Sequence, residues 1–203
     1  MNWEIIIQAF WIIIPAYIAN ASAVLSGGGI PIDFNKKYKD GKRILGDGKT
    51  WNGLIIGGFI GITAGFAMAT SAPMINQILL ENKIDTLSVT NFEGFPFMIP
   101  IIASITYGAL LGDIIESFFK RRRNIERGKD WIPFDQLDFI LGVLFFSFLM
   151  SSFLNIVGLT DKNWFFENIG IWHVLFLLLI TPFFHILSNF LHKKIKKRKK
   201  IEK

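Results

Sequence analysis

The sequence predicts an all-α, polytopic membrane protein with about five transmembrane helices, its N-terminus outside and its C-terminus inside. Two observations predict this class. Hydrophobic residues make up 51% of the 203 residues and the mean hydropathy is +0.42, and the apolar residues are pooled in blocks of about 20, the length that crosses a bilayer. The 22 Lys and Arg residues are distributed very unequally between successive loops, and this asymmetry predicts the orientation.

The apolar blocks define a single integral membrane domain over residues 1–203. No basic residue precedes the first block, whereas a cleavable signal peptide usually begins with a basic segment, so we interpret the first helix as a retained span. We expect the helices at about Trp3–Val24, Asn52–Ala72, Phe97–Ser117, Leu137–Val157 and Ile171–His192.

The basic residues lie almost entirely on one side of the predicted bundle. All of them except Lys83 and Lys162 lie in the loop 25–51, the loop 118–136 or the tail 193–203. The positive-inside rule places these three regions in the cytoplasm. The net charge of +6 therefore reflects topology and a tail suited to anionic headgroups, and it does not indicate nucleic-acid binding. Because the chain has no Cys, disulfide and thiol chemistry are excluded.

Ionisable residues mark the inner end of the third predicted helix. Asp113, Glu116, Ser117 and Lys120 are spaced so that they share one helical face. A snorkelling helix end, with Lys120 paired to Glu116, accounts for these two residues without a functional role. Asp113, however, follows a long apolar run, and a short carboxylate cannot snorkel far, so we favour a functional role for it.

A second acidic pair opens the fourth helix, where Asp135 and Asp138 follow Pro133. One Asp is explained by helix capping, but two on one face exceed that need. The loop between the third and fourth helices is short, so we expect these helices to be antiparallel neighbours with their inner ends together. Carboxylates that converge there beside Lys120, Arg121, Arg122 and Arg123 predict Mg²⁺ bridged to substrate phosphates, with flanking Lys and Arg to neutralise phosphate charge. Among these basic residues, Arg122 and Arg123 also have a complete explanation as topology signals.

The first inner loop is rich in glycine and contains Gly46-Asp47-Gly48-Lys49-Thr50. Glycine backbone can approach phosphates closely, and Lys49 can reach their oxygens. The spacing does not match a P-loop, and no strand precedes it. Taken alone, Asp47-Gly48 is also a common turn signal.

Several of these residues together resemble the signature of the CDP-diglyceride synthetases. They are Gly112-Asp113-Ile114-Ile115-Glu116-Ser117, then Lys120-Arg121, then Asp135-Gln136-Leu137-Asp138. Gln136 and Phe139 stand where that family usually has Arg and Ser, and its Gly-His-Gly-Gly element is missing. With the segments Leu45–Trp51 and Trp131–Gln136, these departures resemble the archaeal branch, the CDP-archaeol synthases.

The resemblance implies an Mg²⁺-dependent enzyme of the cell membrane that transfers CMP from CTP to 2,3-di-O-geranylgeranylglyceryl phosphate, with its active site facing the cytoplasm. It also implies metal ligands at Asp113 and in the Asp135/Asp138 pair. We expect catalytic roles for Asp113, Glu116, Lys120 and Asp138, and substrate binding by Asp33, Asp47, Gly48, Lys49, Ser117, Arg121 and Gln136.

Two other functions fit the sequence less well. A CDP-alcohol phosphotransferase also uses carboxylates at inner helix ends, but its Asp-Gly-x-x-Ala-Arg pattern is absent. A secondary transporter would favour inverted repeats and a midplane site, and neither is visible. Release of pyrophosphate that depends on CTP would separate the synthase from the transporter.

Overall fold

A computed structural model describes residues 2–125, 129 and 131–183. The helices in this part of the chain are α1 (Trp3–Leu25), α2 (Trp51–Glu81), α3 (Met98–Arg122), α4 (Phe134–Ile156), α5 (Trp164–Asn168) and α6 (Ile171–Phe183). The first four are long and apolar enough to cross a membrane. Within the described ranges, β structure is limited to two isolated bridges. The predicted all-α, polytopic membrane class is confirmed.

The fifth predicted helix is described only in its first part. Its predicted start at Ile171 is where α6 begins. Its predicted end at His192 and the basic tail 193–203 lie outside the described residues.

Helix bounds differ from the expected ones mainly at α2, which continues through Pro73 to Glu81 instead of ending at Ala72. Proline is tolerated within membrane helices, and the extension is tied down by side-chain bonds. Asn76 Nδ2 donates to Val89 O at 2.9 Å, and Val89 N donates to Asn76 Oδ1 at 2.8 Å. These bonds fix the last turns of α2 against the segment that leads into α3.

The ends of α3 and α4 that carry the predicted site are more helical than expected. α3 continues to Arg122, beyond the predicted end at Ser117, and α4 begins at Phe134, before the predicted start at Leu137. Lys120 therefore belongs to α3 and Asp135 to α4, so the predicted site lies on two rigid elements.

α3 and α4 pack on each other as the predicted antiparallel neighbours, and α1 packs on α2. Glycine makes the closest approach possible. A Cβ at Gly112 would collide with the carbonyl of Asp138, and one at Gly142 would collide with the carbonyl of Gly108. Small residues allow membrane helices to approach in this way, and here they bring α4 directly against the turn of α3 that carries Asp113.

The bundle has an apolar core and an apolar outer surface. Ile13, Ile101 and Ile140 are fully buried, whereas Phe59 and Ile55 point outward, as expected of helices that face lipid. We call the end where α3 finishes and α4 begins the site end, and the end with α5 and the α2–α3 loop the far end.

Candidate active site

Three carboxylates meet at the site end. The side-chain oxygens of Asp113, Glu116 and Asp138 lie within 4.8 Å of one another, and each residue is at least partly buried. Asp113 and Glu116 are one turn apart on α3, and the close approach at Gly112 brings Asp138 from α4. We call these three residues the acidic cluster, and their arrangement could hold a metal ion.

Asp135 lies beside the acidic cluster and is engaged by other groups. Lys120 Nζ donates to both oxygens of Asp135 at 2.8 Å, and Trp131 N donates to Oδ2 at 2.8 Å. Lys120 Nζ is also 3.6 Å from Glu116 Oε1. Glu116, instead of Asp135, therefore completes the group with Asp113 and Asp138. The metal role expected for Asp135 stays a prediction.

A second lysine reaches the acidic cluster from the α1–α2 loop. Lys49 Nζ donates to Asp113 Oδ2 at 2.5 Å. Lys49 is held at the start of α2, because its carbonyl accepts from Ile32 N at 2.9 Å and the adjacent Thr50 caps the helix by accepting from Gly53 N at 3.2 Å. With Gly48 and Asp113 it lines a small cavity of about 60 Å³. Two lysines from different segments thus contact the site.

Asp33 organises the α1–α2 loop. Its buried carboxylate accepts from Arg43 Nε at 3.1 Å and Nη2 at 2.8 Å, and from the backbone N–H groups of Asn35, Leu45 and Gly46. Burial alone would raise the pKa of Asp33, but these hydrogen bonds outweigh it and lower the pKa to about 2. All these contacts lie within the loop, and the expected role of Asp33 in substrate binding stays a prediction.

The remaining residues expected to bind substrate lie in the α1–α2 loop or on α3 and α4 at the site end. The exposed Asp47 accepts from Arg43 Nη1 at 2.8 Å, and Ser117 Oγ makes a long contact of 3.4 Å to Leu45 O. Within the described part of the chain, the buried Arg121 Nε and Gln136 Oε1 have no hydrogen-bond partner. Buried polar atoms without partners are costly, so these two atoms are candidates for a substrate contact.

Arg122 has a role that its position in a basic cluster did not reveal. Its guanidinium lies 4.9 Å from the ring centroid of Tyr38 and 5.0 Å from that of Phe118. It is 3.1 Å from Asp40 and donates to Arg43 O. Arg122 therefore joins the α1–α2 loop to the end of α3. Its partners in the loop, Tyr38, Asp40 and Arg43, are about 80 residues away in the chain, so no local spacing signals them.

An apolar cavity of about 480 Å³ opens between α3 and α4 and reaches the acidic cluster. We call it the α3–α4 cavity. Glu116 and Asp138 line its polar end, together with Arg123, whose guanidinium lies 5.2 Å from the ring centroid of Trp131. Its other described lining residues are Gly112, Ile115, Phe119, Trp131, Phe134, Leu141, Gly142, Phe145 and Phe146. Arg123 was expected beside the carboxylates but without a site role of its own, and Trp131 was not expected at the site.

The fold and the site together define a polytopic membrane protein with a carboxylate cluster, able to hold a metal, at one end of its helices. The family model described as "CarS-like: CDP-archaeol synthase" matches residues 2–200. The chain belongs to the CDP-archaeol synthase family.

Similar proteins agree along most of the chain. A CDP-archaeol synthase from Pyrococcus abyssi is 39% identical over 91% of this chain and 90% of its own length, and one from Methanocella arvoryzae is 41% identical over 91% and 97%. A solved structure of an intramembrane enzyme for archaeal membrane lipid biosynthesis is 31% identical, with a TM-score of 0.65 over 91% of this chain and 94% of that one. The chain is a membrane CTP-dependent cytidylyltransferase of archaeal lipid synthesis.

Proposed function

We propose that the acidic cluster with Lys49 and Lys120 is the site where CMP passes from CTP to 2,3-di-O-geranylgeranylglyceryl phosphate. An oxygen of the lipid phosphate forms a bond to the α-phosphorus of CTP, and the bond from that phosphorus to the oxygen bridging to the β-phosphate breaks. The products are CDP-archaeol and pyrophosphate. The observation that carries this proposal is the meeting of three carboxylates with two lysines from separate segments.

Asp113, Glu116 and Asp138 would hold Mg²⁺, because carboxylate oxygens are the ligands that it prefers. The charges of the site fit a divalent cation. The acidic cluster and Asp135 carry four negative charges when ionised, and Lys49 and Lys120 offset two of them. Glu116 Oε1 is buried and, among the described residues, has no hydrogen-bond partner. When bound, Mg²⁺ would supply positive charge against the α-phosphate and the leaving pyrophosphate.

The two lysines are placed to hold the triphosphate. Lys49 approaches from the start of α2 and Lys120 from the last turns of α3. The lipid phosphate needs no strong base, since the second pKa of a phosphomonoester is about 6 and the group is largely dianionic at neutral pH. The barrier is the approach of two polyanions, so correct placement and charge should dominate the catalysis.

The α3–α4 cavity supports a lipid that approaches from within the bilayer. Its walls are apolar side chains such as Leu141 and Phe145, and its polar end is the acidic cluster itself. A second apolar cavity of about 390 Å³ lies farther along the same two helices, and Phe146 lines both. Prenyl chains can therefore stay among apolar groups while the phosphate reaches Glu116 and Asp138.

We place the site end on the cytoplasmic side of the cell membrane, because the α1–α2 loop, the last turn of α3 and the α3–α4 loop carry all the described basic residues except Lys83 and Lys162. The absence of native Cys makes a topology test simple. A cysteine at Lys42 should resist an impermeant thiol reagent in intact cells, whereas one at Lys83 should react. The reverse pattern would refute the orientation.

The activity test uses purified protein with CTP, Mg²⁺ and the prenylated glycerol phosphate, and it measures pyrophosphate and CDP-lipid together. We expect both products in equal amounts, loss of both with a chelator, and recovery with Mg²⁺. Asp113→Asn should remove activity, whereas Asp161→Asn, an exposed acid at the far end, should not. Undiminished turnover in Asp113→Asn, or in the presence of the chelator, would contradict the proposed site.

A further inference from the structure

We propose that Arg123, supported by Trp131, binds the phosphate group of the lipid substrate and thereby sets the affinity for the lipid and not for CTP. This inference rests on the proposed function and names a substrate-binding residue within it. It replaces the expectation from sequence that Arg123 serves topology alone.

The position of Arg123 supports this role. It lines the α3–α4 cavity at the end formed by Glu116 and Asp138, and of the described lining residues it alone is cationic. A lipid with its chains beside Leu141 and Phe145 would bring its phosphate to this end. Arg123 therefore lies where the phosphate of a seated lipid must be.

The charges around the α3–α4 cavity also favour Arg123. The carboxylates of Glu116 and Asp138 repel an approaching phosphate unless a bound Mg²⁺ offsets their charge, and a fixed cation on the cavity side lowers this repulsion for the lipid phosphate. Lys120 is engaged with Asp135, and Lys49 with Asp113, and neither lysine lines this cavity. Arginine presents several N–H groups in one plane and can bind two phosphate oxygens at once.

Trp131 holds Arg123 in this position. Its guanidinium lies 5.2 Å from the centroid of the Trp131 ring, a favourable cation–π distance. Trp131 packs on Phe134 with centroids 4.4 Å apart, and its backbone N donates to Asp135 at 2.8 Å. A cation–π contact of this kind does not require the guanidinium N–H groups to donate to an oxygen, so they remain suited to bind an anion. Asp135 thus accepts from both Lys120 and Trp131, the residue whose ring contacts Arg123.

The test is two-substrate kinetics in neutral detergent, in which each substrate is varied at saturation of the other. Hydrogen bonds to a charged group are worth about 1.5–3 kcal/mol, which corresponds to about ten- to a hundredfold in affinity. We expect Arg123→Ala to raise the KM for the lipid by about that factor, with the KM for CTP and kcat nearly unchanged. Arg123→Lys should recover part of the loss and tests a form that keeps the charge. Lys39→Ala removes the same charge from an exposed position and should leave both KM values unchanged.

A second measurement uses the prenylated glycerol without its phosphate as a competitive inhibitor. If Arg123 binds the phosphate, this inhibitor should bind wild type and Arg123→Ala equally well. Stronger binding to one of them, an unchanged KM for the lipid, or a rise in the KM for CTP would overturn the assignment. Equal losses in Lys39→Ala that vanish at high salt would also overturn it, because they would show a general surface effect. Failure of the wild-type enzyme to form CDP-lipid would instead refute the proposed function.

Discussion

Asp33 provides a test of how the α1–α2 loop is held in place beside the acidic cluster. Its pKa of about 2 lies below the ordinary 3.8, and this difference corresponds to about 2.4 kcal/mol of stability at neutral pH. Asp33→Asn keeps one carbonyl acceptor but loses the charge that faces Arg43. We therefore expect it to lose a large part of that energy.

The sign of the pH dependence follows from the lowered pKa. An acid whose pKa is depressed by folding stabilises the folded form fully above its unfolded pKa, and this contribution is lost as the pH falls. For Asp33 the loss should occur between about pH 4 and pH 2. Hydrogen exchange at the Leu45 and Gly46 amides, which both donate to Asp33, reports it directly.

In the wild type the protection of these two amides should be constant above about pH 5 and fall toward pH 2. In Asp33→Asn it should be lower by up to about sixtyfold at neutral pH and lack that pH dependence. Asp47→Asn is the matched control, because Asp47 pairs with the same Arg43 but is exposed, and exposed pairs contribute little. Equal effects of the two variants, or wild-type protection that does not change below pH 4, would refute the assigned role of Asp33.

Three further variants test the site itself. Asp138→Asn should lower turnover, measured as pyrophosphate release, by about a thousandfold or more. The variant should still fold in detergent. Near-normal turnover at saturating Mg²⁺ would mean that Asp138 is only an acid at the start of a helix. Gly112→Ala should force α3 and α4 apart, because the added Cβ would collide with the backbone of Asp138. We expect about 1–3 kcal/mol of destabilisation, measured as a lower Tm. An unchanged Tm would contradict the close approach of the two helices. Lys49→Ala should lower turnover with CTP at both low and high salt, whereas Lys39→Ala should leave it unchanged. If both variants lose activity to the same extent and high salt removes the loss, the effect is one of general surface charge.

The membrane class and most helix positions were predictable, because long apolar runs have few alternatives to a membrane span. The α2 end was not, because the prediction used the length of one membrane span, about 20 residues, whereas α2 has 31 residues. In α2 the helix continues past Pro73, and bonds between Asn76 and Val89 join its last turns to the segment before α3. Those bonds join two different segments, so no local sequence pattern predicts them.

The acidic site was predictable as a region but not as a ligand set. Spacing places Asp113 with Glu116 on one face of α3 and Asp135 with Asp138 on one face of α4. It does not distinguish which acid of each pair belongs to the cluster. The structure separates the second pair, because Lys120 engages Asp135 while Gly112 lets Asp138 reach the cluster. Which acid joins the cluster therefore depends on how closely two helices approach, and that distance is not encoded in the spacing of either helix.

Arg122 and Arg123 show that a basic residue whose position is explained by membrane topology can also have a second role. The positive-inside rule accounts for Arg122 and Arg123 in the same way, yet the structure gives them different surroundings. Arg122 joins α3 to the α1–α2 loop through Asp40 and Tyr38, whereas Arg123 faces the α3–α4 cavity over Trp131. A charge that only set topology would tolerate Lys in both places. We therefore expect Arg122→Lys to loosen the loop and Arg123→Lys to weaken lipid binding, so the two exchanges should separate the roles that topology makes equivalent.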